Sequence, residues 1–472
     1  MSEKIIEGAS PSHSEVSVSH KMAWGFGGLA CDMANALWIL ALPIFSVGLG
    51  VKASLMGLAL ALPRIVDAVL DPLVGSLSDN THSRWGRRRP YILVGGIGMG
   101  ICFAVMWMPN RTWGEMGLFT WFTMLSILYF VFFTIWNIPW AAMGLELTPD
   151  VKERNSIQAV RSWFATGAAF LLPTILPLAL YFGKGDETKG VVYVGMLAGG
   201  IMILSAITSA IFVKERSEFS ALPRVPFLVS AKATLKNRSF LGLCIYAGLF
   251  CGGVLVVSQM SYYLNVFYVF KGLPLQEAKI ASSKLMFWGG MVGGISNLAA
   301  IPVIALCANR FGKKYTLLGG VLLVAVGQFL KWYCWSPEYP SLQIWLSVLI
   351  YPGLILTWTI IPSMIADLCD IDELENGERR EGMYSATFGY LLKIGVTIAM
   401  ALSGWLINVS GVIDTAAVQT PEAIMNLRIL FATLPTLFVI LGGIFILKYP
   451  VTEAMAEGVK EKLEKRHKLT HG

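Results

Sequence analysis

Long apolar runs, separated by short polar segments, recur along almost the whole chain. Each run reaches about 20 residues or more, the length that an α-helix needs to cross a roughly 30 Å hydrocarbon core. Hydrophobic residues make up 55% of the 472 positions and charged residues only 14%, a balance that excludes an ordinary soluble domain. The pattern predicts an all-α membrane protein with twelve transmembrane helices, at residues 22–50, 53–78, 90–108, 116–144, 157–182, 191–213, 239–268, 277–308, 315–334, 342–366, 383–410 and 425–449.

The longest loop between spans separates six predicted spans from six. A weak internal repeat supports two equivalent halves, because the segment Arg84–Arg88 (RWGRR) follows the second span and Arg310–Lys314 (RFGKK) follows the eighth. Parallel repeats that meet at a midplane site are the layout of one large transporter class. We therefore predict two pseudo-symmetric six-helix halves at residues 1–213 and 239–450, a central cytoplasmic loop at 214–238 and a cytoplasmic tail at 451–472.

Basic residues cluster in alternate loops, which indicates an orientation in the membrane. By the positive-inside rule these loops face the cytoplasm, and an even number of spans then places both termini there. We predict a multi-pass protein of the cytoplasmic (inner) membrane, with the lipid bilayer as a partner and one monomer as a sufficient unit.

The net charge of +7 is spread over the loops and gives no reason to expect nucleic acid. The seven cysteines lack metal-ligand spacing.

Several ionisable side chains lie deep inside predicted spans. They are Asp32, Asp67, Asp71 and Lys393, while Arg161 lies near the edge of the fifth span. A charge at bilayer depth costs a few kcal/mol even on lenient scales, so such residues usually serve a function. Handling of ions and of a substrate is the hypothesis that these positions favour.

Asp67 and Asp71 are four residues apart and therefore share one face of a predicted helix. Two close carboxylates in a poorly hydrated site need a counter-charge, which a sodium ion, a proton or a lysine can supply. Lys393, in the eleventh span, is the partner that we expect from the other half. Thr134 and Asn137, in the fourth span, could add neutral oxygens to this predicted cation site.

A simpler interpretation of the acidic pair stays open. Arg64 lies one turn before Asp67 on the same helix face and could neutralise it. Asp71, just ahead of a proline and the following loop, would then be a solvated residue near the helix end.

Asp32 lies about ten residues into the first span, near mid-depth by helical rise. A carboxylate facing a water-filled cavity can accept hydrogen bonds from adjacent hydroxyls, which is how such a group recognises a sugar. Arg161 is a second candidate for this site. Its alternative interpretation is a side chain that reaches the cytoplasmic surface.

Two long motifs resemble known transporter signatures. The segment Asp79 through Arg89 resembles the loop between the second and third helices of the major facilitator superfamily. At finer detail the chain resembles the glycoside-pentoside-hexuronide:cation symporter family, in the segments Pro63–Gly75 (PRIVDAVLDPLVG), Ser83–Pro90 (SRWGRRRP) and Ala366–Gly382 (ADLCDIDELENGERREG). The resemblance implies symport of a sugar or glycoside with Na⁺ or H⁺ by alternating access, with no cofactor and no catalysis.

The resemblance also implies roles for particular residues. It gives Asp67 and Asp71 to the cation, and it gives Asp32, Arg161 and Trp358 to the substrate site. We predict that Asn137 and Lys393 also contribute to substrate binding. A familiar sugar permease of that family has an aspartate where Asn137 stands, which leaves Na⁺ and H⁺ both open as coupling ions. Weaker candidates for the sugar cavity, each balanced by a role in helix packing, are Trp136, Trp140 and Tyr390.

Charged loop residues suggest a gate. We predict that Asp79, Arg84 and Arg87 of the N-terminal half act with Asp367 and neighbouring acids of the C-terminal half, forming a lock in the outward-facing state. The alternative is that these charges are solvated and only set topology.

Two rival functions are weighed against sugar symport. Lysophospholipid symporters resemble the same family, so a cation-coupled lipid carrier is the closest alternative. A membrane enzyme or a non-transporting sensor is a different class, and no metal-ligand cluster or nucleophile motif supports it.

Overall fold

The computed structural model describes residues 16–81, 83–148, 151–213, 234–377, 381–413 and 418–471. The helices of the N-terminal half are α1 (Val18–Met33), α2 (Ala36–Ala41), α3 (Ala53–Asn80), α4 (Arg89–Met106), α5 (Glu115–Glu146), α6 (Val151–Leu171), α7 (Ile175–Phe182) and α8 (Glu187–Phe212). Those that follow are α9 (Arg238–Ser258), α10 (Met260–Leu264), α11 (Leu275–Phe311), α12 (Lys313–Cys334), α13 (Leu342–Asn376), α14 (Glu381–Val409), α15 (Pro421–Leu447) and α16 (Glu453–His471). The predicted central loop lies outside the described residues up to position 233.

The predicted spans agree with the observed helices. Across the described ranges, eleven helical stretches are long and apolar enough to cross a membrane, and a shorter apolar helix, Ile39–Gly48, accompanies them in the first span. Every predicted span therefore has a helical counterpart, and the prediction of an all-α, twelve-helix membrane fold is confirmed.

The first span is broken, whereas the hydrophobic pattern predicts it as one run. Helix α1 ends at Met33, α2 begins at Ala36, and a wider π-helical turn follows over Leu42–Gly48. The backbone N–H of Asn35 donates to the Asp32 carbonyl oxygen at the break. Irregular helical turns of this kind are frequent at functional sites, and this break directly follows a candidate residue.

The two halves pack closely from mid-span toward one end, which we call the packed end. It carries the starts of α3, α8 and α11. A Cβ atom at Gly404 would lie only 2.0 Å from the Ala53 carbonyl oxygen, and one at Gly290 only 2.3 Å from the Pro173 ring. Small residues thus let α14 approach α3 and let α11 approach the fifth span, as in other membrane helix pairs.

The buried apolar side chains show the same asymmetry. One cluster runs through the N-terminal half and continues into C-terminal residues of the packed end, among them Met260, Ala399 and Phe431. A second cluster, which includes Phe240 and Tyr384, belongs to the C-terminal half alone and lies toward the opposite end. The halves therefore share a core at the packed end and keep separate cores at the opposite end.

Candidate transport site

Asp67 is the centre of a polar cluster at mid-span. Its side chain is only 1% exposed. Thr134 Oγ1 donates to Asp67 Oδ1 over 2.6 Å, Lys393 Nζ lies 3.0 Å from Oδ2, and Arg64 Nη1 lies 3.8 Å from the same oxygen. A buried carboxylate needs such partners, because an unpaired charge in a low dielectric is very costly.

Lys393 joins both aspartates and thereby joins both halves. Its ammonium lies 2.5 Å from Asp71 Oδ2 as well as 3.0 Å from Asp67. The expectation that Lys393 is the partner of the acidic pair from the other half is confirmed. The other oxygen of Asp71, Oδ1, is buried and has no hydrogen-bond partner in the described structure, so it keeps a lone pair for a further ligand.

The packing of α3 against α14 explains this meeting. Gly57 of α3 lies against Ala401 and Gly404 of α14, and a Cβ atom at Gly57 would be 3.0–3.1 Å from that backbone. Close backbones at this crossing keep both helices adjacent over the roughly three turns that lead to Asp67 on α3 and Lys393 on α14. A long side chain on α14 then reaches carboxylates on α3 without leaving the interface.

Asn137 is the predicted cation ligand that no contact joins to the cluster. It lies one turn after Thr134 on α5, and it is partly buried. Within the described residues it makes no hydrogen bond. Its predicted roles toward the cation and the substrate stay predictions.

Asp32 and Arg161 form a second polar pair, on α1 and α6. They lie within electrostatic range of each other, and Asp32 Oδ2 and Arg161 Nε are both buried without a hydrogen-bond partner in the described structure. The Arg161 guanidinium lies 5.4 Å from the Trp140 ring centre, which holds it in place. A carboxylate and a guanidinium with unsatisfied atoms can together accept from and donate to the hydroxyls of one ligand.

Arg64 connects the two polar groups. Its guanidinium lies 4.6 Å from the Phe130 ring centre and within electrostatic range of Asp67 and Asp71. Cys31, the neighbour of Asp32, is within the range of Arg64 and also of Arg161. Electrostatic range thus connects Asp32 and Arg161 with the cluster around Asp67.

The tryptophans of this region have different surroundings. Trp24, Trp140 and Trp136 form a stack with ring centres 4.9 and 5.1 Å apart, and Trp24 and Trp140 donate to each other's carbonyl oxygens. Trp136 and Trp140 are buried in this stack, which supports the helix-packing alternative for both. Trp358 is 52% exposed and Tyr390 is also exposed. Their predicted roles beside the sugar stay predictions.

The charged residues at the opposite end pair within each half. Arg87 contacts Glu146 at 2.7 Å, Arg88 contacts both Glu146 and Asp79, and Arg84 has no ion pair among the described residues. The other acid of the predicted lock, Asp367, is held by Lys313 at 2.5 Å and by Lys460 of α16 at 3.4 Å.

The lock between Arg84 or Arg87 and Asp367 is predicted for the outward-facing state and stays a prediction. In the conformation observed, Asp367 pairs with Lys313, and Arg87 pairs with Glu146. Glu146 ends the fourth span, Asp367 follows the tenth, and each pairs with the basic loop of its own half. The internal repeat of the sequence thus reappears as two equivalent charge networks.

An ion pair that the sequence does not reveal joins the halves at the packed end. Lys279 of α11 lies 2.5 Å from Glu187 of α8, and both are buried. Asp186 accepts from the backbone N–H groups of Thr188 and Lys189 and so begins α8 at Glu187. Burial alone would raise the pKa of Asp186, but the hydrogen bond from the Thr188 hydroxyl, the bonds from Lys189 and the nearby charge of Arg111 together outweigh burial and lower the pKa. Charged residues at the edges of predicted spans usually lie at the membrane surface, so nothing in the sequence indicates that these two form a buried pair.

Comparison with known proteins agrees with the fold. A family model described as "MFS/sugar transport protein" matches residues 23–453. The putative glycoside/cation symporter YagG of Escherichia coli (strain K12) is 26% identical over 471 residues, covering 97% of both chains. The isoprimeverose transporter of Lactiplantibacillus pentosus is 27% identical over 483 residues, covering 97% of this chain and 95% of its own.

A solved structure shows the same architecture. The crystal structure of a D-xylose-proton symporter superposes with a TM-score of 0.67 at 14% identity, over 93% of this chain and 98% of that one. The fold and the buried ionisable site define a transporter of the major facilitator superfamily. The chain belongs to the MFS/sugar transport protein family, and its resemblance to glycoside:cation symporters is confirmed.

Proposed function

We propose that the protein is a secondary active transporter that carries a sugar or glycoside together with Na⁺ or H⁺ by alternating access. The names of its relatives support a sugar substrate. The observation that carries the proposal is Lys393 from one half bound to Asp67 and Asp71 of the other.

Lys393 supplies the counter-charge that the acidic pair requires. A sodium ion or proton arriving at Asp67 and Asp71 competes with the ammonium, because either cation satisfies the same carboxylates. Cation binding therefore weakens a contact that holds the halves in this conformation. A ligand shifts a conformational equilibrium only by its differential affinity for the two states, and this competition supplies that difference.

The substrate then binds beside the cation. Asp32 and Arg161 offer an acceptor and donors to sugar hydroxyls, and the exposed ring of Trp358 offers an apolar face to a pyranose. Arg64 is within electrostatic range of both Asp67 and Cys31, the neighbour of Asp32, so the charge state of the cation cluster acts on Asp32 as well.

The basic loops orient this mechanism in the membrane. The positive-inside rule places the opposite end and both termini in the cytoplasm of the cell, and the packed end outside the inner membrane. The structure is then an inward-facing state. The buried pair Glu187 and Lys279 closes the outer side.

Uptake into proteoliposomes tests the proposal. Neutral and acidic sugars, glycosides and a lysolipid would be offered under imposed Na⁺ or H⁺ gradients. We expect gradient-driven uptake of a sugar that Asp67→Asn abolishes and that Glu115→Gln, which changes an exposed loop pair, leaves intact. Lysolipid uptake alone would favour the lipid-carrier alternative, and gradient-independent binding without uptake would favour a sensor.

A further inference from the structure

We propose that Lys331 of α12 and Arg428 of α15 form a binding site for the phosphate headgroup of an anionic phospholipid, at the packed end of the C-terminal half. The lipid is a bound partner of the transporter and not its cargo. Neither helix carries a candidate transport residue, so the inference goes beyond sugar symport and does not depend on it.

Lys331 is a buried cation without an acidic partner. Three basic side chains are buried in the described part of the chain, and two of them have carboxylate partners. These pairs are Arg88 with Asp79 and Lys279 with Glu187. Lys331 is 7% exposed, and within the described residues it forms no ion pair and its ammonium makes no hydrogen bond. A buried ammonium needs an anion or loses its proton, so this position calls for an anion from outside the chain.

Further polar groups without partners share the face of α12 that carries Lys331. Gln328 lies three residues before it and Trp335 four residues after it, a spacing that places all three on one side of the helix. Gln328 is fully buried, and both of its amide atoms lack a hydrogen-bond partner in the described structure, as does the buried indole nitrogen of Trp335. Ammonium and indole groups can only donate, and an amide can donate as well. This set of groups therefore fits an anion.

Arg428 adds a second cation beside Lys331. Its guanidinium lies 4.4 Å from the ring centres of both Trp332 and Tyr268, and Nη2 donates to the Trp332 carbonyl oxygen over 3.3 Å. The Lys331 ammonium lies 4.3 Å from the ring centre of Phe431, one turn after Arg428. Aromatic rings attract a cation but carry no net charge. Since Arg428 also forms no ion pair among the described residues, two neighbouring positive charges stay uncompensated.

The site lies at the depth where lipid headgroups meet the protein. Helix α12 ends at Cys334, and the Lys331 ammonium lies 5.9 Å from the ring centre of Trp335, so the side chain extends toward the end of the helix. Phe329 and Tyr333 on the outer face of α12 are 54% and 61% exposed, as expected of side chains that face acyl chains. Aromatic rings together with basic side chains near the end of a span are typical of the headgroup region.

An anionic phospholipid matches this arrangement in charge and in shape. Its phosphate oxygens can accept from the Arg428 guanidinium, the Lys331 ammonium and the Trp335 indole at once, while its acyl chains lie along the apolar outer surface. A zwitterionic lipid offers the same phosphate but brings a cation of its own, which the two positive charges repel. We therefore expect the site to select anionic over zwitterionic headgroups.

Matched lipids isolate the charge of the headgroup. Delipidated protein in detergent would be titrated with phosphatidylglycerol or with phosphatidylcholine of the same acyl chains, and its melting temperature followed, since a ligand that binds the folded protein raises it. We expect the midpoint concentration for phosphatidylglycerol to be at least about tenfold lower, the size of one charged contact. Inorganic phosphate and glycerol 3-phosphate, which test for a soluble anion, should not stabilise the protein at concentrations where the lipid saturates.

Two variants and a control assign the effect to this site. Lys331→Met and Arg428→Gln should each bring the midpoint for phosphatidylglycerol close to that for phosphatidylcholine. Lys189→Met, which changes a basic residue at the same end that is 66% exposed and paired with Asp186, should keep the wild-type selectivity. Lys331→Met removes an unpaired buried charge, so the lipid-free variant should melt no lower than the lipid-free wild type. If it fails to fold, the half-buried Arg428 still decides the assignment.

Three results would overturn the inference. Equal midpoints for the two lipids in the wild type would remove the selectivity, as expected if the Lys331 amine is neutral and binds no ligand. Wild-type selectivity in both Lys331→Met and Arg428→Gln would place the lipid elsewhere. Stabilisation by inorganic phosphate at the same midpoint as by the lipid would assign the site to a soluble anion. Each of these results leaves sugar symport standing, because uptake is measured separately.

Discussion

Glu187 and Lys279 form a buried ion pair, with 2.5 Å between Oε1 and Nζ, that ties the two halves together at the packed end. Neither residue belongs to the mid-span cluster. A buried ion pair of this kind contributes little more to stability than a pair of apolar side chains of similar size would. Removing one partner, however, leaves the other as an uncompensated buried charge. The pair can persist only while the packed end is closed, because opening would expose both charged side chains to water. It is therefore a contact whose loss should favour opening.

Lys279→Met should open the packed end. Breaking a buried pair costs about 3–5 kcal/mol, enough to shift a two-state equilibrium by more than about a hundredfold. Ser282, fully buried one turn further along α11, provides a reporter when changed to cysteine in a cysteine-free background. An impermeant maleimide should label it much faster in Lys279→Met. Lys52→Met, which breaks the exposed pair with Glu115, is the control and should have no effect. Equal labelling rates in the Ser282→Cys protein alone and in its Lys279→Met and Lys52→Met derivatives would contradict the proposal that Glu187 and Lys279 keep the packed end closed.

Lys393→Met should increase the apparent affinity for the coupling cation. The substitution removes the nearest competitor from Asp67 and Asp71, so the cation binds there without displacing the ammonium. Cation-dependent thermal stabilisation measures this directly, since a ligand that binds the folded protein raises its melting temperature. We expect the midpoint concentration to fall by at least about tenfold, the size of one charged contact. A midpoint that rises would show that Lys393 assists cation binding.

Alanine substitutions at Trp140 and Trp358 should differ in their effects on protein stability and on substrate affinity. Trp140 is buried in the stack with Trp24, and losing a buried tryptophan costs about 3–5 kcal/mol of the free energy of unfolding. Trp358 is exposed, so Trp358→Ala should leave thermal unfolding nearly unchanged and weaken substrate affinity. A stable Trp140→Ala protein with weakened sugar binding would instead place this ring in the cavity.

The ion pair of Asp367 with Lys313 should contribute more to the free energy of unfolding than its pair with Lys460. Lys313 is mostly buried and lies 2.5 Å from the acid, whereas Lys460 is half exposed and lies 3.4 Å away. Exposed pairs contribute about 0–1 kcal/mol, so Lys460→Met should scarcely change the free energy of unfolding, while Lys313→Met should lower it clearly. The same size of loss for both variants would show that α16 is an essential part of this network.

The hydrophobic pattern predicts the twelve spans because each must cover the same hydrocarbon thickness. It also predicts that Lys393 meets the acidic pair, since a buried ammonium has few partners to choose from. Helical periodicity could not predict the break after Met33, which depends on local backbone hydrogen bonds. It also could not predict that Glu187 pairs with Lys279, or that Asp367 pairs within its own half. Several charged residues of suitable sign lie at each membrane face, so the pattern does not select one partner.

The central claim is that Asp67 couples a cation to the substrate, and a paired transport assay with Asp67→Asn tests it most directly. Exchange of labelled for unlabelled substrate across proteoliposomes needs binding and alternating access but no driving ion. Accumulation needs coupling as well. We predict that Asp67→Asn retains exchange and loses accumulation under every imposed Na⁺ or H⁺ gradient. Undiminished accumulation in this variant would contradict the account.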